Sequence, residues 1–104
     1  MTVEPVAVPV LTPATTYRAR ITVRLTSGVN DPQGNAVAES LRSLGHPDVR
    51  DVRVGRVIEL RLDAPDEATA RARVDELCRV LLANPVIETW EVDVVQARSE
   101  GAVP

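Results

Sequence analysis

Between Tyr17 and Thr26 apolar and polar residues alternate one for one. Tyr17, Ala19, Ile21, Val23 and Leu25 fall on one side, and Arg18, Arg20, Thr22, Arg24 and Thr26 on the other. That period is the mark of a strand with one buried face. Past a Ser27–Asn30 loop the spacing changes. Ala36, Val37, Leu41 and Leu44 recur every three or four residues, which predicts a helix with one apolar stripe. Asp31 suits its N-cap and Pro32 its first turn, while Gly45 and Pro47 stop it. Val49–Val54 and Val57–Asp63 read as two strands of a hairpin around Gly55-Arg56, with Ile58, Leu60 and Leu62 facing in. A second helix begins after Asp66 and runs to about Ala83, with Ala70, Val74, Leu77, Cys78 and Leu81 as its stripe. Asn84 tolerates the left-handed conformation common at a helix C-terminus, and Pro85 cannot prolong a helix. Val86–Val95 closes the series as a strand, with Trp90, Val92 and Val94 on one face.

The order is therefore βαββαβ. Right-handed crossovers make this an α+β, ferredoxin-like antiparallel sheet with two helices on one face. The usual strand order of that fold, 4-1-3-2, puts the first strand between the third and the fourth. Arg18, Arg20 and Arg24 then share the open face with Glu59 on one side and Glu91 and Asp93 on the other. Such opposite-charge pairs are favourable by roughly 0.2–1 kcal/mol each. The expected organisation is one domain, residues 17–96, between a Pro-rich tail (1–16, with Pro5, Pro9 and Pro13) and a short tail (97–104).

Composition narrows the chemistry. Tyr17 and Trp90 are the only aromatic residues, so the core must be aliphatic. A net charge of −3 argues against nucleic acid or an anionic membrane as partner. All 12 basic residues are Arg, so no lysine is present for Schiff-base or general-base chemistry. The single Cys78 excludes an intrachain disulfide and fits a reducing cytoplasm. No stretch has the length of a membrane span, and the N-terminus lacks the pattern of a secretory signal.

The candidates for chemistry are few. Cys78 lies on a helix stripe, where a small buried hydrophobe is expected rather than a nucleophile on a sharp turn. His46, the only histidine, sits in a Gly-His-Pro turn with no Cys/His cluster to join. Gly28 and Gly34 flank Asp31-Pro32-Gln33, but neither a P-loop nor a dinucleotide loop is complete there. Asp63, Asp66 and Glu67 suit a helix start. Trp90 is expected in the core, with an interface anchor as the alternative.

Two segments then stand out together. Gly28-Val29-Asn30-Asp31-Pro32-Gln33-Gly34-Asn35-Ala36-Val37 resembles the first-helix signature of the PurS family, and Leu81-Leu82-Ala83-Asn84-Pro85-Val86-Ile87-Glu88 resembles its second. Val52-Arg53-Val54-Gly55-Arg56 and Glu59-Leu60 also fit, with Arg56 where Lys is common. The resemblance covers about residues 17–95, whereas residues 1–16 depart from the family, which usually begins near the first strand.

PurS is the small subunit of phosphoribosylformylglycinamidine synthase, which amidates formylglycinamide ribonucleotide with glutamine and ATP in de novo purine synthesis. The resemblance implies a non-catalytic cytoplasmic subunit that bridges the synthetase (PurL) and glutaminase (PurQ) and assists ammonia transfer. It implies no catalytic, cofactor or metal residues in this chain, with ATP and Mg²⁺ held by the synthetase, and a homodimer or higher homo-oligomer. Asp31, Pro32, Gln33, Gly34, Asn84, Pro85 and Glu88 are then partner-contact or structural turn residues. An ACT-like module that binds amino acids is the alternative, since it shares the βαββαβ order and a Gly-containing loop after the first strand.

Overall fold

A computed structural model describes residues 14–97. The elements are β1 (Thr15–Leu25), α1 (Pro32–Ser43), β2 (Arg56–Ala64), α2 (Glu67–Leu77), a π-helical turn (Cys78–Leu82) and β3 (Glu88–Gln96). Together they make an α+β chain with an antiparallel sheet of order β2-β1-β3. β1 is central, as the charge pattern predicts, and starts two residues earlier than the alternation suggested. The remainder of the two expected tails, 1–13 and 98–104, lies outside the described residues.

The register confirms which residues face each other. Arg20 stands between Glu59 and Asp93, and Thr22 between Val57 and Glu91. Arg20 bonds Glu59 at 2.8 Å, and Arg24 reaches Glu91 at 3.6 Å. Arg18 instead faces Arg61 and Val95, a like-charge neighbour that the sequence reading did not identify. On the other face Tyr17, Ala19, Ile21 and Val23 are buried against Ala70, Val74 and Cys78 of the second helical segment. Ile58, Leu60, Leu62, Trp90 and Val92 pack around that core.

Three expectations need correction. The first concerns residues 49–54, which form no strand among the described residues, so the sheet has three strands. A hairpin must reverse direction at Gly55-Arg56, and primed turns need positive φ. Positive φ occurs at Gly28 and Gly45, not at Gly55. Gly55 lies against β1, where an added Cβ would sit 2.5 Å from the Val23 carbonyl oxygen. The Val54 amide is held by Asp31, and the Arg53 guanidinium by the Leu25 and Thr26 carbonyls. The segment is thus tied past the end of the sheet and leads into β2 without folding back.

The second concerns α1, which does not share the sheet face with α2; the sheet's helical cover is α2. Only Gly34 and Ala38 of α1 are buried, and Val37 and Leu44 of the predicted stripe are exposed. α1 packs instead on the chain that returns from its own end. Arg42 donates to the carbonyls of Val49 (2.9 Å) and Arg50 (3.3 Å).

The third concerns the end of the second helix. Its last turn is π-helical, closed by Ala83 N–H donating to the Cys78 carbonyl at 3.0 Å. The added residue advances the helix phase, so Leu82 packs on the core while Leu81 is 81 % exposed. Ala83, with extended backbone, ends the helix one residue before Asn84.

Candidate functional site

The two recognisable segments meet at one corner of the molecule. Asp31 is the N-cap of α1, with Pro32 following, as the sequence predicts. One carboxylate oxygen accepts from the Gly34 amide at 2.8 Å, satisfying an orphan donor of the first turn. The other accepts from the Val54 amide at 2.9 Å, twenty-three residues along the chain. The residue is buried, and these two donors, Gly34 first, hold its pKa below the ordinary carboxylate value. Gly34 is close-packed: a Cβ there would sit 2.1 Å from the Val52 carbonyl oxygen. Glycine is needed because backbone passes directly over it.

The second segment is organised by Glu88. Its Oε1 accepts from the Asn84 amide at 2.7 Å, and Arg56 grips both carboxylate oxygens at 2.8 and 3.2 Å. Arg56 also donates to the Leu82 carbonyl at 2.7 Å, filling one of the acceptors left open where the helix ends. Arg56, then the Asn84 amide, holds Glu88 ionised below its ordinary value. Asn84 Oδ1 accepts from the Val86 amide at 3.0 Å, an Asx-type turn that reverses the chain after Ala83. Pro85 sits exposed at the tip of that turn.

An open groove of about 580 Å³ runs between the two segments, lined by Arg24, Asp31, Pro32, Gln33, Arg56 and Glu88 among others. Of the candidate residues, Asp31, Pro32, Gln33 and Glu88 border the groove, and Gly34 and Asn84 bond to them. Pro85 stands outside it. Pro32, Gln33, Asn84 and Pro85 are exposed, whereas Asp31 and Gly34 are buried and Glu88 half-buried. The group therefore divides into residues that hold the corner and residues that present it. Sequence reasoning left out Arg56 as a site residue, although it lies in one of the segments carrying the resemblance. No pattern along the chain shows that it will reach residue 88.

The corner's ionised groups are spent on structure, with Asp31 on two amides and Glu88 on Arg56 and an amide. Cys78 lies at the core's centre, where burial, then the neighbouring Asp75 charge, pushes its thiol pKa up and leaves it neutral. His46 is exposed at the far end of α1, and its amide donates to the Leu41 carbonyl at 3.0 Å. Trp90 is half-buried; its indole N–H donates to Asp75 at 2.9 Å, with the Arg79 guanidinium 6.0 Å from the ring centroid. Asp75 also pairs with Arg79. Among the described residues no group of His, Cys, Asp and Glu is placed to hold a metal ion.

Comparison with known proteins gives a single family. Residues 18–96 match the family model described as PurS, phosphoribosylformylglycinamidine (FGAM) synthase. The chain is 48% identical over 87 residues to the phosphoribosylformylglycinamidine synthase subunit PurS of Synechocystis, a match spanning 84% of this chain and 85% of that one. Its fold matches the crystal structure of Methanocaldococcus jannaschii PurS, one of the subunits of formylglycinamide ribonucleotide amidotransferase in the purine biosynthetic pathway. That match has a TM-score of 0.71 at 32% identity and covers 79% of this chain and 99% of that one. It also matches a chain in the structure of PurLQS from Thermotoga maritima, with a TM-score of 0.70 at 32% identity over 77% of this chain and 98% of that one. The chain, whose groove corner lies wholly within the matched residues, thus belongs to the PurS family of phosphoribosylformylglycinamidine synthase subunits.

Proposed function

We propose that this chain is a non-catalytic assembly subunit that joins the synthetase subunit, PurL, to the glutaminase subunit, PurQ, in the cytoplasm. In this reading it helps ammonia pass between them, and ATP and Mg²⁺ belong to PurL. One observation carries the reading: the chain matches nearly the whole length of a chain found in a PurLQS structure. The chemistry of the corner supports it. A bridging protein needs a rigid, defined surface rather than a nucleophile, and Asp31, Arg56 and Glu88 supply rigidity by cross-linking three stretches of chain. Exclusion of water between two active sites is the contribution such a surface can make to ammonia transfer.

Pro32, Gln33, Asn84 and Pro85 are the residues we assign to partner contact, and Asp31, Gly34 and Glu88 hold them in place. Co-purification with the cognate PurL and PurQ, followed by mass measurement, tests the reading. A ternary complex is expected, with Gln33→Ala weakening assembly while leaving the thermal midpoint of the isolated chain unchanged. Full glutamine-dependent synthase activity from PurL and PurQ without this chain would overturn it.

A further inference from the structure

β3 is an edge of the sheet, and the bonds on its inner side fix what its outer side offers. The Thr26 amide donates to the Ile87 carbonyl and the Ala97 amide to the Thr16 carbonyl, so the odd-numbered residues of β3 bond β1. The even-numbered residues Trp90, Val92, Val94 and Gln96 therefore turn their amides and carbonyls outward. The Val92 carbonyl accepts from the Arg71 guanidinium at 2.9 Å, which leaves its second lone pair open. The other outward groups of these residues meet no backbone partner among the described residues. Beside this edge lies an open groove of about 740 Å³, floored by Ala68 and Ala72 of α2 and by Trp90 and Val92. An uncovered edge next to an apolar groove is a site for an added extended segment.

We infer that residues 4–12 of the same chain are that segment, laid along β3 as a parallel outer strand. Position is the first argument. The described chain begins at residue 14, and Thr16 is bonded to Ala97 at the end of β3, so the thirteen residues before it leave beside this edge. Extended, they reach about 40 Å. Rounding the end of β3 takes roughly 10 Å, and running back as far as Trp90 takes roughly 23 Å. The proline pattern is the second argument. Pro5, Pro9 and Pro13 are all odd-numbered, so one side of an extended chain keeps every amide, those of Glu4, Val6, Val8, Val10 and Thr12. The other side cannot pair fully, which ends the sheet at this strand. Parallel pairing through the even-numbered amides sets Pro5, Ala7 and Pro9 on the face of Trp90 and Val92, where the groove has room for small or cyclic side chains. The covalent tether keeps the segment near its edge at an effective concentration on the order of millimolar.

The chain alone provides the test, so its outcome is independent of PurL and PurQ. Hydrogen exchange should show the amides of Trp90, Val92 and Val94 at least about tenfold slower in the full chain than after deletion of residues 2–12. Two proline variants then separate the sides of the segment. Val8→Pro removes an amide from the pairing side and should lose the protection. Ala7→Pro, one residue away on the outer side, should keep it to within about threefold. Circular dichroism verifies that each form folds, and the protection should not depend on protein concentration. Exchange unchanged by the deletion, or the same exchange in both proline variants, would overturn the inference. So would protection that fades on dilution or that appears only with PurL or PurQ.

Discussion

At residue scale, Asp31 joins two parts of the chain with one carboxylate: it caps α1 and fixes the Val54 amide. Beneath it, Gly34 has no room for a side chain. Gly34→Ala drives a methyl group into the Val52 carbonyl and should cost about 1–3 kcal/mol, read from the urea midpoint.

The carboxylates also set the response to acid. Asp31, Asp66, Asp75 and Glu88 are all more acidic folded than unfolded, held by amide, indole or guanidinium donors. Each therefore stabilises the fold fully above its unfolded value, and the stabilisation fades as pH falls through the folded one. Loss should begin with Glu88 below its ordinary value of 4.5 and deepen below 3.8, where the aspartates follow. Urea midpoints between pH 7 and pH 3 should fall along that course, and Asp31→Asn should flatten the part below pH 4.

At element scale, the chain's legibility depended on how local each cause was. The alternation in β1 and β3 and the caps Asp31 and Asp66 act over a few residues, and all appear as the sequence implies. The Val49–Val54 segment has strand-like alternation too. Its fate is decided by bonds to Leu25, Thr26 and Asp31, which no local pattern contains. The α1 stripe was likewise real but has no core beneath it. Arg56 reaching Glu88 is a tertiary fact of the same kind, which is why half of the corner's scaffold escaped notice. The π turn is subtler, since a single extra residue exchanges the roles of two adjacent leucines. Leu82→Ala should cost about 1–2 kcal/mol and Leu81→Ala less than about 0.5 in the monomer, measured by chemical denaturation. Equal costs would show that the helix continues in α-helical phase.

At the scale of the whole molecule, the chain divides its labour between a packed unit and a projection. The sheet with α2 holds the core, with Ile21, Val23, Val74 and Cys78 fully enclosed. The projection is α1 with the segment that returns from its end, joined to the core at the Asp31 corner. Such a plan suits a protein whose work is to be held by others. Exposed apolar side chains such as Leu44, Leu81 and Val86 carry a cost in isolation, because they are surfaces fit for association.

Cys78, described so far as an inert part of the core, also makes this protein its own reporter. It is the chain's only thiol and is wholly enclosed, so a thiol reagent must wait for the core to open. When opening and closing are fast, the rate of modification measures the equilibrium population of open molecules without any label or denaturant. Under native conditions reaction with an aromatic disulfide reagent should be at least about a thousandfold slower than after unfolding in urea. Partners that clamp the fold should slow it further. A cysteine introduced on the exposed turn at Pro85 would react at once, leaving the native thiol untouched. A fluorophore placed there could follow assembly while Cys78 independently times the opening of the core.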